Sequence, residues 1–197
     1  MRVVVDWDGT ITVQDSLVQV IHRFGDPAIL AELEPRVGVD LTLHEEIAAE
    51  FAAITAPLPE VVGWVLENVE VRPGLHELAA HDPLVISAGF HELIEPVLER
   101  EAARLEVLAN HVDARPDGWV VRFRDQAACA TCGEPCKRGS LAGEPYVYVG
   151  DGYSDRCAAL AAERIFARDA LATYLDERGI GYEPFEDLRD VVAALAT

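Results

Sequence analysis

The clearest pattern along the chain is a set of short apolar runs that scarcely alternate with polar residues. Continuous runs of this kind are typical of parallel strands covered on both faces, whereas half-exposed strands alternate. Each run is followed by small or acidic residues, which marks the point where a strand ends. The pattern predicts four buried strands, at residues 2–6, 83–90, 146–152 and 164–167.

Residues 14–72 show a different periodicity and contain no convincing strand. Apolar residues at 17–24 recur at helical spacing, and Gly25 fits the end of that helix. Thr42 and Glu45 form a capping-box pattern ahead of a further apolar series. The segment is therefore predicted to be a small helical module inserted after the first strand.

Beyond residue 72, predicted strands alternate with predicted helices. A helix is expected at 91–105, a hairpin with a Pro-Asp-Gly turn at 114–123, and a final helix near the end of the chain. Alternation of this kind predicts an α/β fold with an open parallel sheet covered by helices on both faces. The predicted domains are a core, residues 1–13 and 73–197, and a helical cap, residues 14–72.

Composition and charge limit the kinds of molecule that the protein is expected to bind. The chain has 197 residues, half of them apolar, which is enough for one substantial core. Its formal charge is −19, from 16 basic and 35 acidic residues, so we expect neither nucleic-acid nor membrane partners. No apolar run approaches the ~20 residues of a membrane span, and no signal peptide is evident. We expect a cytoplasmic protein, either a monomer or a homodimer.

Three of the predicted strands end in residues suited to chemistry. These strands end in the sequences DWDGT, ISAG and GDGYSD. In open α/β sheets, ligands collect at the carboxyl ends of the strands. Four carboxylates, Asp6, Asp8, Asp151 and Asp155, would then share one crevice. They cannot all remain ionised there without a cation, and hard oxygen ligands suit Mg²⁺.

The two aspartates after the first strand are expected to have different tasks. Asp6 and Asp8 are two residues apart, so their side chains point to the same side of an extended chain. One carboxylate can attack a phosphorus atom while the other handles the proton. Gly9 and Gly89 allow backbone N–H groups to approach a phosphate closely. Lys137 can balance the negative charge of the transferred group.

These stretches resemble a known family. DWDGT, ISAG, Lys137 and GDGYSD are similar to the four ordered motifs of the haloacid dehalogenase superfamily of phosphatases. The helical insert resembles the cap of its phosphoserine-phosphatase-like branch, which implies a Rossmann-like core. The tail at 165–188 resembles the 2-hydroxy-3-keto-5-methylthiopentenyl-1-phosphate phosphatases. The cysteine-rich segment 129–137 is similar to that group and to the phosphoethanolamine/phosphocholine phosphatases.

The resemblance implies a role for each motif residue. Asp6 would be the nucleophile that forms an aspartyl-phosphate, and Asp8 the general acid and base. Ser87 and nearby backbone N–H groups would hold the phosphoryl oxygens, and Lys137 would neutralise developing charge. The implied substrate-binding residues also include Gly9, Thr10, Ala88 and Gly89.

The resemblance also implies a metal site and a specificity residue. Mg²⁺ would be held by Asp6, the backbone carbonyl of Asp8, and Asp151, while Asp155 would complete or orient that shell. Asp15 stands where phosphoserine phosphatases carry an acidic residue that meets the substrate's amino group. A helix N-cap is an equally good interpretation of Asp15.

The implied activity is Mg²⁺-dependent hydrolysis of a small phosphorylated metabolite, with a methylthiopentenyl phosphate of methionine salvage as the first candidate. Phosphoserine and phosphoethanolamine or phosphocholine are the alternatives. A phosphotransferase or mutase would use the same aspartate pair. A non-catalytic phosphate-binding module is a further alternative, which the presence of the acid/base Asp8 disfavours.

The cysteines admit two interpretations. Cys129 and Cys132 have the spacing of a zinc knuckle, and Cys136 would be a third ligand for a structural Zn²⁺. His111 and Cys157 are the candidates for a fourth. Reduced, unligated thiols are the competing interpretation.

Overall fold

A seven-stranded sheet lies at the centre of the computed structural model, which describes residues 1–141 and 143–196. Residues 142 and 197 of the predicted core segment lie outside the described part. The strand order is β4-β3-β2-β1-β5-β6-β7, and every neighbouring pair is parallel except β3 and β4. The strands are β1 (Arg2–Val5), β2 (Leu84–Phe90), β3 (Glu106–Asp113), β4 (Val120–Arg122), β5 (Tyr146–Gly150), β6 (Arg164–Ala167) and β7 (Glu183–Pro184). The predicted α/β fold with a parallel sheet is confirmed.

The central position of β1 explains its unbroken valine run. It pairs with β2 on one side and β5 on the other, through Val4 with Leu84 and Val5 with Val149. These residues are at most 2% exposed, because helices cover both faces of the sheet. The carboxyl ends of β1, β2 and β5 therefore lie side by side at one edge.

The helices occupy the positions that the local sequence signals indicate. Four of them lie within residues 14–72: α1 (Ser16–Phe24), α2 (Pro27–Leu33), α3 (Leu43–Ala52) and α4 (Leu58–Asn68). The others are α5 (Leu75–Ala79), α6 (His91–Arg100), α7 (Arg156–Ala159), α8 (Asp169–Asp176) and α9 (Leu188–Leu195). The predicted capping box forms at α3, where Thr42 and Glu45 each bond to the other's backbone. No described helix has the length and apolar character that a bilayer crossing needs.

The local predictions fail in three places, and one of them is the two-residue strand β7 (Glu183–Pro184), which the sequence pattern did not predict. The helix expected at 91–105 ends at Arg100, and the following residues turn into β3, which the sequence pattern did not predict. Polar residues such as Asn110 interrupt the apolar pattern of β3, and pairing with β2 and β4 forms the strand. The sequence SDRCAALAAE predicts a helix over residues 154–163, but α7 is a single turn, preceded by the 3₁₀ turn Tyr153–Asp155.

The helices between β1 and β2 pack onto the β3–β4 hairpin. The ring of Phe51 on α3 meets Phe90 edge-on, with centroids 4.7 Å apart, and the backbone N–H of Trp119 donates to the Phe51 carbonyl over 3.2 Å. A Cβ at Gly118 would lie 2.4 Å from the Ala52 carbonyl oxygen, so glycine is required for this approach. The boundaries of the cap, residues 14–72, stay a prediction.

Arg72 fixes the loop after β1 where the chain returns from these helices. The side chain is 7% exposed, and its guanidinium donates to the carbonyls of Gly9 at 3.0 Å, Thr10 at 3.0 Å and Glu186 at 2.9 Å. Its own backbone N–H donates to Ile11 over 2.8 Å. One buried cation thus ties the loop that carries Asp8 to the C-terminal part of the chain.

Replacing Arg72 with Met should destabilise the fold. Each buried carbonyl that loses its donor costs about 1–3 kcal/mol, so we expect Arg72→Met to lower the free energy of unfolding by about 3 kcal/mol or more. Urea denaturation followed by circular dichroism measures this change.

Arg36→Met is the matched control for this variant. Arg36 pairs with Asp40 on the surface, and an exposed pair of this kind contributes about 1 kcal/mol or less. Equal urea midpoints for the two variants would contradict the role assigned to Arg72.

Candidate active site

Asp6 begins the site directly after β1. Its backbone N–H donates to the Val149 carbonyl over 2.9 Å, which ties it to β5, and its side chain is 4% exposed. The chain then turns at Gly9, where φ is +77° and a Cβ would lie 2.3 Å from a carboxylate oxygen of Asp151. Glycine at this position therefore lets Asp151 approach the turn that carries Asp8.

Lys137 lies between two buried carboxylates. Its Nζ donates to Oδ1 of Asp6 over 2.5 Å and to Oδ1 of Asp155 over 2.7 Å, and the side chain is 5% exposed. Burial alone would lower the pKa of Lys137, but the Asp155 and Asp6 carboxylates raise it above its usual range. The lysine is therefore a fixed positive charge.

Asp155 has all of its acceptor positions occupied. Besides Lys137, its carboxylate accepts from the Tyr148 hydroxyl over 2.7 Å and from the backbone N–H groups of Asp151 at 3.0 Å and Gly152 at 2.9 Å. Burial would raise the pKa of Asp155, but Lys137 and the other donors lower it. It is an ionised carboxylate that organises the loop after β5.

Asp8 is held from two sides. One oxygen accepts from the backbone N–H of Ser16 over 3.2 Å and from the Ser16 hydroxyl, and the other accepts from the Ser87 hydroxyl over 3.2 Å. Ser87 in turn accepts from the Gly89 N–H over 2.8 Å. Burial raises the pKa of Asp8, so the group is disposed to carry a proton.

Asp151 completes the carboxylate cluster. The Thr10 hydroxyl donates to its Oδ1 over 2.6 Å, and burial, followed by the charge of Asp155, raises the pKa of Asp151 to about 7. One oxygen each from Asp6, Asp151 and Asp155 lie within 4.8 Å of one another. Lys137 supplies one positive charge for this group, so the donor set fits a hard divalent cation such as Mg²⁺.

A cavity of about 470 Å³ opens from these aspartates toward α1 and α3. Glu46 and Glu50 line its α3 side and are 7% and 4% exposed. Burial, followed by neighbouring acidic groups, raises the pKa of Glu46 to about 7 and that of Glu50 to about 8. No described residue offers a hydrogen-bond partner to Oε1 of Glu50. Arg156 also lines the cavity, with its guanidinium over the Tyr153 ring.

The structure brings the predicted motif residues to one edge of the sheet but gives some of them other contacts. The Thr10 side chain is fully buried and its hydroxyl is used by Asp151. Asp15 is the N-cap of α1, with its carboxylate accepting from Val18 over 2.9 Å, and it also lines the cavity. Ala88 lines the cavity, and its carbonyl accepts from the Asn110 amide over 2.7 Å.

Several residues of the site were missed by reasoning from the sequence. Tyr148 alternates with Tyr146 in a buried strand, and a hydroxyl in such a strand requires a hydrogen-bond partner. Glu46 and Glu50 are one helical turn apart beside the apolar residues of α3, which is the available signal for them. Ser16 carries no signal beyond its place at the start of a predicted helix.

Curated relatives that are similar to this chain carry the same enzyme name. Two of them, from Bacillus cereus and Bacillus thuringiensis, are both named 2-hydroxy-3-keto-5-methylthiopentenyl-1-phosphate phosphatase. The first is 27% identical over 209 residues, and the second is 28% identical over 210 residues. Each alignment covers 99% of this chain and 95% of the relative.

Solved structures share the fold at lower identity. One described as a phospho-aspartyl intermediate analogue of phosphoserine phosphatase has a TM-score of 0.73 and 16% identity, and covers 98% of this chain and 97% of its own. A phosphoserine phosphatase from T. onnurineus has a TM-score of 0.68 and 20% identity, with 98% and 92% covered.

A protein-family model, described as haloacid dehalogenase-like hydrolase, matches residues 3–160. The match includes the stretches that carry Asp6, Ser87, Lys137 and Asp151, which the sheet brings to one edge. The chain belongs to the haloacid dehalogenase-like hydrolase family.

Proposed function

We propose that this protein is a Mg²⁺-dependent phosphomonoester hydrolase that acts on a small metabolite through an aspartyl-phosphate on Asp6. The observation that carries the proposal is the placement of two different carboxylates at the end of β1. Asp6 accepts a hydrogen bond from the buried Lys137 ammonium, whereas Asp8 accepts from the hydroxyls of Ser16 and Ser87. The first arrangement suits a nucleophile and the second suits a proton carrier.

The first step forms a bond between an Asp6 oxygen and phosphorus and breaks the bond between phosphorus and the leaving oxygen. Asp8 gives its proton to that oxygen, so the product leaves as a neutral alcohol. Lys137 and Ser87 stabilise the negative charge on the phosphoryl oxygens. The Gly89 N–H donates to the Ser87 oxygen and so orients that hydroxyl.

In the second step, water attacks the phosphorus of the acyl phosphate, and Asp8 takes the proton from that water. Phosphate then leaves and Asp6 is regenerated as a carboxylate. The same group serves as acid and then as base because it is ionised once the alcohol has left.

The metal would be held by Asp6, Asp151 and the Asp8 carbonyl. Bound Mg²⁺ supplies charge neutralisation and orientation of the phosphoryl group. We assign positioning roles to Asp155 and Thr10, since the oxygens of Asp155 already accept four hydrogen bonds and the Thr10 hydroxyl holds Asp151.

A methylthiopentenyl phosphate is the first candidate substrate. The printed name of the curated relatives supports it, since those alignments span nearly the whole of both chains. The cavity of about 470 Å³ beside Asp6 fits a compact metabolite.

A phosphomonoester with a cationic amine is the second candidate, and one observation favours it. Glu46 and Glu50 are buried side by side on the cavity wall, and Oε1 of Glu50 has no partner among the described residues. An ammonium group bound there would compensate both carboxylates and supply the missing donor. Phosphoethanolamine and phosphoserine belong to this class. Phosphocholine would supply the positive charge but not the donor, because its quaternary ammonium has no N–H.

Asp6→Asn should abolish formation of the covalent intermediate. Wild-type protein mixed with a ³²P-labelled phosphomonoester and quenched in acid should carry label that hydroxylamine removes, whereas Asp6→Asn should carry none. Asp8→Asn should fold and still accept label, but with turnover lower by about 10²–10⁴-fold. Labelled Asp6→Asn protein would overturn the assignment of the nucleophile.

Metal removal should switch the activity off reversibly. Excess chelator removes the cation that the carboxylates of Asp6 and Asp151 require, so phosphate release should fall to background and return when Mg²⁺ alone is added. Unchanged release in chelator would contradict the metal requirement. In the same assay, phosphate transferred to added alcohols in preference to release would identify a phosphotransferase.

Glu50→Gln tests the second candidate substrate. If an ammonium group binds there, kcat/KM for phosphoethanolamine should fall by at least about tenfold, equivalent to ~1.4 kcal/mol. Values for an uncharged phosphomonoester should change little. Glu45→Gln on the exposed face of α3 is the matched control. Equal effects on charged and uncharged substrates would exclude an ammonium-binding role.

A further inference from the structure

The four cysteines of the chain lie together beside the candidate active site. Cys129, Cys132 and Cys136 belong to the loop before Lys137, and Cys157 belongs to α7. Their four Sγ atoms lie within 4.8 Å of one another, with 3.9 Å between those of Cys129 and Cys157. In a tetrahedral zinc site with Zn–S bonds of about 2.3 Å, the sulfurs are about 3.8 Å apart. The thiols are therefore nearly in position to share one ion.

The backbone around Cys129 is shaped to support a thiolate. The Thr131 N–H donates to the Cys129 sulfur over 3.4 Å, and the Cys132 N–H is directed at the same atom. Gly133, with φ of +81°, closes this turn by donating to the Cys129 carbonyl over 2.8 Å. Such N–H groups favour the negative charge that a metal-bound sulfur carries.

The structure favours one of the two candidates for a fourth zinc ligand over the other. His111 lies on β3, where its Nδ1 is 2.9 Å from Glu92 and its ring stacks on His91. Cys157, in contrast, is 8% exposed and within reach of all three loop cysteines. Two disulfides would pair the sulfurs two by two, whereas all four lie within 4.8 Å of one another, an arrangement in which one tetrahedral ion binds every sulfur.

We propose that Cys129, Cys132, Cys136 and Cys157 bind one Zn²⁺ ion in a tetrahedral site that fastens the loop before Lys137 to α7. Each thiol loses its proton on binding, which leaves four thiolates around a divalent ion. The proposal does not depend on the phosphatase activity.

The position of the site relates it to the candidate active site. Cys136 directly precedes Lys137, and Cys157 follows Asp155 by two residues; these neighbours are themselves joined over 2.7 Å. Residues 126–128 and Cys132 are exposed, so apolar burial does little to hold this part of the loop. The zinc ion would supply the missing cross-link and thereby keep Lys137 in place.

Metal analysis of the full chain tests the proposal. Protein expressed in zinc-supplemented medium and purified without chelator should contain one zinc per chain by mass spectrometry of the metal. X-ray absorption at the zinc edge should show four sulfur ligands at about 2.3 Å. Nitrogen or oxygen ligands, or iron in place of zinc, would overturn it.

Cys132→Ser is the variant of choice because Cys132 is exposed and its replacement leaves the core intact. It should lose zinc on dialysis, while the control Ala128→Ser, exposed in the same loop, should keep one equivalent. The proposal fails if Cys132→Ser retains zinc like the control. It also fails if reduced wild-type protein takes up none from equimolar Zn²⁺ and all four thiols react freely. These readouts use no substrate, so they are independent of the proposed function.

Discussion

The candidate active site depends on one buried ammonium group. Lys137 lies between Asp6 and Asp155 with almost no exposure to water, and its positive charge favours the ionised form of both carboxylates. Removing one partner of a buried pair leaves an uncompensated charge, which costs about 3–5 kcal/mol. One lysine does not balance the whole cluster, since Asp151 also lies close by. This charge deficit is the physical reason to expect a divalent cation.

The surrounding backbone holds the charged groups before any substrate arrives. Arg72 binds the carbonyls of the loop after β1, and Asp155 receives two N–H groups of the loop after β5. Gly9 brings these two loops into contact because a side chain there would collide with Asp151. Phosphoryl transfer depends mainly on positioning and charge stabilisation, and a preorganised site supplies both.

The two sides of the cavity differ in what they contribute. The sheet side carries the aspartates and Lys137, which any phosphomonoester would meet. The α3 side carries Glu46 and Glu50, and it packs against the β3–β4 hairpin through Phe51 and Trp119. Under the proposed function, substrate selection would fall to the α3 side, where buried acids favour a partner that brings positive charge or hydrogen-bond donors.

The sequence by itself determined the elements whose signals are local. The valine run of β1 and the capping box of Thr42 were readable because burial and capping leave their pattern within a few residues. The motif aspartates and Lys137 were also identified, with the fold that brings them together. β3 was not predicted, because polar residues interrupt its apolar pattern and the strand forms through its pairing with β2 and β4.

Tertiary structure alone decided which distant groups meet. Tyr148 on Asp155, Arg72 on the loop after β1, and Cys157 beside the loop cysteines are contacts between residues far apart in the chain or on different elements. Sheet order and helix packing set these distances, and no short stretch of sequence encodes them. The same holds for the buried carboxylates of α3, because the role proposed for them depends on the cavity that they line.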